Sequence, residues 1–200
     1  MNVDKSNKAG SEESNRKRVL GVVGSPRRGG NTETLVDEVL RGAEEAGALT
    51  EKVVLSELEI APCRACDACR RKGRCVQEDD MAELLERMQR SQVWILGTPI
   101  YYWGPTAQFK AFIDRWYGVD RAMFVNRRVI LAIPLGGGKE TARYTLGMLT
   151  NTLNWQRTEL FETILAPGAY SLGEVKGRKD VMTAARRAGR RAIETLKSTG

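Results

Sequence analysis

Histidine is absent from this chain of 200 residues. That excludes imidazole-based triads, imidazole metal ligands and histidine proton shuttles together. Any chemistry must come from a bound cofactor, from thiols, or from carboxylate, lysine, arginine and tyrosine groups. Long apolar runs are missing too, and nothing approaches the ~20 residues of a membrane helix. Met1 to Arg18 is polar and charged, without the apolar segment of a signal peptide, so a cytoplasmic protein without membrane contact is expected. Cysteine is sparse, and all four residues lie between Cys63 and Cys75. A disulfide framework would spread them to staple distant segments; crowded in a reduced compartment, they point to a metal or cluster.

The net charge of +7 is local. Between Lys176 and Lys197 eight Lys or Arg face only Asp180 and Glu194. Such a basic end can attract nucleic acid, anionic cofactors or acidic proteins. No aromatic residues interleave with the charges as a single-strand stacking surface requires. The reading is therefore a solvated helix face, with no nucleic-acid partner.

Hydrophobic residues make up 42% and charged residues 28%, which at this length fits one domain with a sizeable core. Residues 1–17 lack periodicity and are expected to be a disordered tail, followed by one domain over 18–200. The run from Arg18 to Gly24 is a buried-strand signal, and helical spacing predicts a helix over 32–46. Further strands are expected near 52–55, 93–97, 129–133 and 163–166. Helices are expected from Met81 with Asp79 or Asp80 as N-cap, from Pro105 as first helical residue, over 141–154, and from Asp180 onward. This alternation implies an α/β fold, a doubly wound five-stranded parallel sheet of order 2-1-3-4-5. In such a sheet the ligand sits beyond the strand ends, where strands one and three diverge.

The two loops at that place are the most unusual in the chain. Gly24-Ser-Pro-Arg-Arg-Gly-Gly-Asn-Thr32 offers backbone N–H groups, the Ser25 and Thr32 hydroxyls, Arg27 and a helix N-terminus. Together these make a phosphate cradle. It is neither a Walker A motif nor the Gly-x-Gly-x-x-Gly of a dinucleotide fold; the bland alternative is a Gly-rich turn without ligand. Thr98-Pro-Ile-Tyr-Tyr-Trp-Gly104 places three aromatics directly after a buried strand. A flavin ring needs such stacking surfaces; a dimerisation patch would use them equally well. Gly136 to Gly138 would let backbone approach the ring, or form a plain turn.

Val22-Val-Gly-Ser-Pro-Arg27, Asp79-Asp-Met81, Thr98-Pro-Ile-Tyr-Tyr102 and Gln108-Phe-Lys-Ala-Phe-Ile-Asp-Arg115 resemble the NADPH-dependent FMN reductase superfamily. Cys63-x2-Cys66-x2-Cys69-x5-Cys75 is similar to the compact motif of its iron–sulfur flavoprotein branch. The resemblance implies a flavodoxin-like fold, FMN and, in that branch, a 4Fe–4S cluster on each subunit of a homodimer or homotetramer. It also implies that Ser25, Arg27, Asn31 and Thr32 hold the FMN phosphate, and that Pro99, Ile100, Tyr101, Tyr102, Trp103 and Gly104 border the ring. Three thiolates spaced by two residues can wrap one corner of a cubane, with Gly73 turning Cys75 back to complete it. Zinc prefers two separated pairs, and a loop of plain reduced thiols is the remaining alternative. The expected function is an FMN-dependent oxidoreductase passing electrons from NAD(P)H, by way of the cluster or directly, to a small-molecule or protein acceptor. The alternative is an electron carrier without a substrate site, docking on redox partners through its basic surface.

Overall fold

The computed structural model describes residues 16–196. Three apolar stretches set its centre. β1 (Arg18–Val23), β3 (Val93–Gly97) and β4 (Arg128–Leu135) are buried almost throughout, as strands covered on both faces must be. β2 (Leu49–Val54) and β5 (Glu159–Pro167) form the edges and are only partly buried. All neighbours pair in parallel, in the order β2-β1-β3-β4-β5, so the expected topology is the observed one.

The two-residue period of a strand divides the core in two. Val19, Val23, Val93 and Ile95 face one side, where they meet Val36 and Val39 of α1 (Asn31–Glu45) and Ala185 and Ala188 of α6 (Lys179–Glu194). Leu20, Val22, Trp94 and Leu96 face the other, under α3 (Met81–Arg90), α4 (Ala107–Asp114) and α5 (Arg143–Trp155). There Trp94, Trp116 and Phe124 form a fully buried aromatic cluster, with Phe124 edge-on to Trp94 at 5.7 Å. α1 and α6 touch backbone to backbone. A Cβ on Gly42 would collide with the Arg186 carbonyl, and one on Gly189 with the Val39 carbonyl.

Several boundaries differ from expectation. α4 does not start at Pro105: Thr106 is its N-cap, and the Thr106 hydroxyl accepts the Phe109 N–H. β5 runs from Glu159, well before residue 163, because an irregularity opposite Val129 and Ile130 breaks its alternation and its edge position leaves it half exposed. β2 begins at Leu49. A short helix, α2 (Ala68–Lys72), lies inside the cysteine loop. The basic side chains of α6 are not simply solvated: Arg186 pairs with Glu38 and Glu45, Arg190 with Glu45, and Arg191 with Glu162. The tail expected over residues 1–17 lies outside the described residues, apart from Arg16 and Lys17, which bond to backbone at 47–49. No described helix is long and apolar enough to cross a membrane.

Candidate functional site

Where β1 and β3 part, the first loop is fixed at both ends. The Gly24 N–H donates to the Gly97 carbonyl at 2.7 Å, and the Thr106 hydroxyl donates to the Gly24 carbonyl at 2.5 Å. Ser25 is buried, and its Oγ accepts the Arg27 N–H at 3.2 Å. Thr32 is buried in the first turn of α1, whose leading N–H groups have no acceptor within the helix and carry the positive end of its dipole. Glu33 would oppose an anion there, but its charge is already committed. Its carboxylate accepts the Gly29 N–H at 2.7 Å and the Lys52 ammonium at 2.8 Å. Burial pushes this carboxyl up, but those bonds and the nearby charges of Lys52 and Arg28 outweigh it and hold it below its ordinary value.

Asn31 acts across the molecule. Its Nδ2 donates to the carbonyls of Ala169 and Ser171, and its Oδ1 accepts the Val175 N–H. Both ends of the side-chain amide therefore tie the first loop to the loop after β5.

The aromatic loop turns sharply. Tyr101 and Gly104 exchange two backbone hydrogen bonds, at 2.9 and 3.0 Å, around Tyr102 and Trp103. Both central residues sit at positive φ, 48° and 64°, the geometry of a tight hairpin turn that glycine or asparagine normally fills. Two bulky residues held there store strain, and such strain clusters at functional sites. The Thr145 hydroxyl braces the turn by donating to the Trp103 carbonyl at 2.8 Å. Tyr102 is 94% exposed and Trp103 56%.

These loops line one cavity of about 730 Å³. Ser25, Arg27, Asn31 and Thr32 meet Pro99, Ile100, Tyr101, Tyr102 and Trp103 there; Gly104 closes the turn without lining the cavity. Gly136, Gly137 and Thr141 line it as well, with Gly30, Pro134 and Leu135. Ala169, Tyr170 and Leu172, after β5, complete the lining and were not singled out from the sequence. The available signal was an aromatic residue just beyond a strand end, the same pattern that marked Tyr101. Tyr170 packs over Gly136, where an added Cβ would lie 2.8 Å from the ring.

A second, small cavity of about 20 Å³ is lined by Cys63, Cys66, Cys69 and Cys75 together with Arg115, Tyr117 and Gly118. The loop folds back through positive-φ residues at Ala65, Asp67 and Gly73. Cys63 and Cys66 are exposed, Cys69 and Cys75 half-buried, and all four are free thiols. Among the described residues no three cysteine or carboxylate side chains converge as ligands of one metal ion. The donor set is all sulfur, and the wall beside it is close: a Cβ on Gly118 would lie 3.2 Å from Cys69 Cβ and 3.5 Å from its Sγ, so only glycine lets Cys69 pack there. Burial pushes the Cys75 thiol up, but the N–H groups of Gln77 and Val76 and the Arg115 guanidinium hold it below its ordinary value.

The family model described as NADPH-dependent FMN reductase matches residues 17–165. An iron–sulfur flavoprotein of Methanocaldococcus jannaschii is 38% identical over 62% of this chain and 66% of its own length. An iron–sulfur flavoprotein of Methanosarcina thermophila is 38% identical over 61% of this chain and 64% of its own. The chain thus spans slightly less than two thirds of either relative. Among solved structures, an NAD(P)H:quinone oxidoreductase from Methanothermobacter marburgensis superposes with a TM-score of 0.71 at 20% identity, covering 88% of this chain and 97% of the other, a likeness of fold.

Proposed function

Because the chain belongs to the NADPH-dependent FMN reductase family, we propose that it is an FMN-dependent oxidoreductase that takes electrons from NAD(P)H and passes them to a small-molecule or protein acceptor. The observation that carries this reading is the cavity at the β1/β3 divide, with hydroxyls and a helix N-terminus at one end and an aromatic wall beside it. FMN has the matching shape, a phosphate on a chain attached to a flat, half-apolar ring. When bound, it supplies hydride acceptance and one-electron release, chemistry that needs no histidine.

Ser25, Thr32 and the first-turn N–H groups of α1 would hold the phosphate, with Arg27 adding a charge-assisted bond. Asn31 gives its backbone N–H, while its side chain sets the shape of the loop. Pro99, Ile100 and Tyr101 would border the ring, with Tyr102 and Trp103 at the exposed turn that Gly104 closes. The four cysteines would hold a 4Fe–4S cluster as thiolates, a reading supported by the all-sulfur donor set and by the names of the two relatives. The assembly would be a homodimer or homotetramer.

Anaerobic purification followed by an absorption spectrum and steady-state NAD(P)H oxidation tests this. Resolved flavin bands and catalytic turnover are expected. Bound flavin without turnover would leave a carrier, and no flavin after incubation with FMN would overturn the reading.

A further inference from the structure

Arg115 is the most deeply buried charged group near the cysteine loop, with its side chain 2% exposed. Its planar guanidinium reaches three places at once. Nη1 donates to the Ala61 carbonyl at 3.0 Å and to Asp79 Oδ2 at 2.5 Å. Nη2 donates to Asp79 Oδ1 at 3.0 Å and to Cys75 Sγ at 3.5 Å. Ala61 precedes the first cysteine and Asp79 follows the last, and the Ala61 N–H closes the stem on Asp79 Oδ2 at 3.1 Å. Arg115 also lines the cysteine cavity, and its Nε is buried without an acceptor among the described residues.

We propose that Arg115 is the positioning residue of the cysteine site, locking both stems of the loop and the fourth thiol in one fork while placing a fixed cation beside an anionic iron–sulfur cluster. This rests on the cluster reading of the four thiols. The physical case is geometric. A surface loop with two exposed cysteines has too little packing of its own to hold four sulfurs in register. Only a rigid fork bonds a carbonyl, a carboxylate and a sulfur simultaneously, which an ammonium cannot do in the same plane. Because Arg115 follows α4 directly, the site is referenced to the aromatic core beneath the sheet and not to the loop itself.

The test reconstitutes the full chain anaerobically with ferrous iron and sulfide, and compares wild type with Arg115→Lys and with the double variant Asp79→Asn/Arg115→Gln, which leaves no unpaired buried charge. Bound FMN reports that the fold persists. Three quantities are read: iron per chain, the rate of iron release to a chelator, and the midpoint potential of the cluster. Both variants should retain FMN and release iron about tenfold faster or more, as expected when a residue that orients a metal ligand is lost. The cluster potential should fall in both variants, since each loses the guanidinium bond to sulfur, and in the double variant the lost cation, nearer the thiol than the lost Asp79 carboxylate, adds to the fall. Unchanged release and potential in variants that hold FMN would overturn the proposal, as would unfolding of both, which would assign Arg115 to the fold alone. Failure of wild type to take up iron would instead bring down the cluster reading, and this inference with it, before any variant is examined.

Discussion

Arg27 and Arg187 are both exposed arginines, but only Arg27 lines the large cavity. Reversing the charge should therefore matter at one and not at the other. Arg27→Glu is expected to weaken FMN binding about tenfold to a hundredfold, the scale of one charge-assisted bond lost. Arg187→Glu should leave affinity unchanged by titration calorimetry, and equal effects would show that the first loop does not hold the phosphate. Tyr102 offers a sharper contrast. Its φ of 48° is costly for any side chain with a Cβ, so Tyr102→Gly relieves strain. Unfolding should show unchanged stability or a gain of up to about 1 kcal/mol, since glycine's greater freedom in the unfolded chain offsets part of the relief. Flavin affinity or fluorescence should change nonetheless, and a variant binding FMN like wild type would move this aromatic out of the site.

At the scale of elements, α1 is held from two sides by different physics. Toward β2, Glu33 and Lys52 form a half-buried ion pair joined by Asp37 at 2.7 Å. The Glu33 carboxyl lies below its ordinary value, so its contribution is present above about 4.5 and lost as pH falls through the folded value. Burial pulls the Lys52 ammonium down, but its two carboxylate partners raise it overall. Its contribution is present below about 10.5 and lost as pH rises through the folded value. Lys52→Met should cost about 1–2 kcal/mol near neutral pH and flatten the acid limb of stability, measured as urea midpoints from pH 3 to 8. A variant with the wild-type acid limb would show the pair to be idle. Toward α6, beside the ion pairs of Arg186 and Arg190 with Glu38 and Glu45, the backbones meet in a steric contact. Gly189→Leu must push two backbones apart and should cost about 2–3 kcal/mol or prevent folding, whereas Arg187→Ala, two residues away on the exposed side, should be nearly silent.

Across the whole molecule, the excess positive charge near the C-terminal helix is paired in part. Arg186, Arg190 and Arg191 each have a carboxylate partner, and Arg178 donates to the Pro167 carbonyl. Duplex DNA should accordingly bind only as a non-specific polyanion, with a dissociation constant of about 10⁻⁴ M or weaker at physiological salt, and with a shallow salt dependence in fluorescence anisotropy. Submicromolar binding at that salt would show a nucleic-acid surface that the charge pairing does not explain.

The sequence by itself determined the strand order and the place of the large cavity. Fully buried strands announce themselves as unbroken apolar runs, and a parallel sheet with right-handed crossovers leaves one divide at which a ligand can sit. Hence the loops holding Ser25 and Tyr101 could be read directly, as could the crowding of the four cysteines. Tertiary structure alone decided what depends on partners distant in the chain. Asn31 reads in sequence as a phosphate donor, but its amide spans to Ala169, Ser171 and Val175, and no local pattern encodes a bond over 138 residues or more. Tyr170 joins the cavity because β5 extends far enough to carry it over Gly136. Arg115 looks in sequence like the end of an amphipathic helix. Only folding brings its guanidinium to Asp79 and Cys75, 36 and 40 residues away, because a buried charge must find its partners wherever the packed chain supplies them.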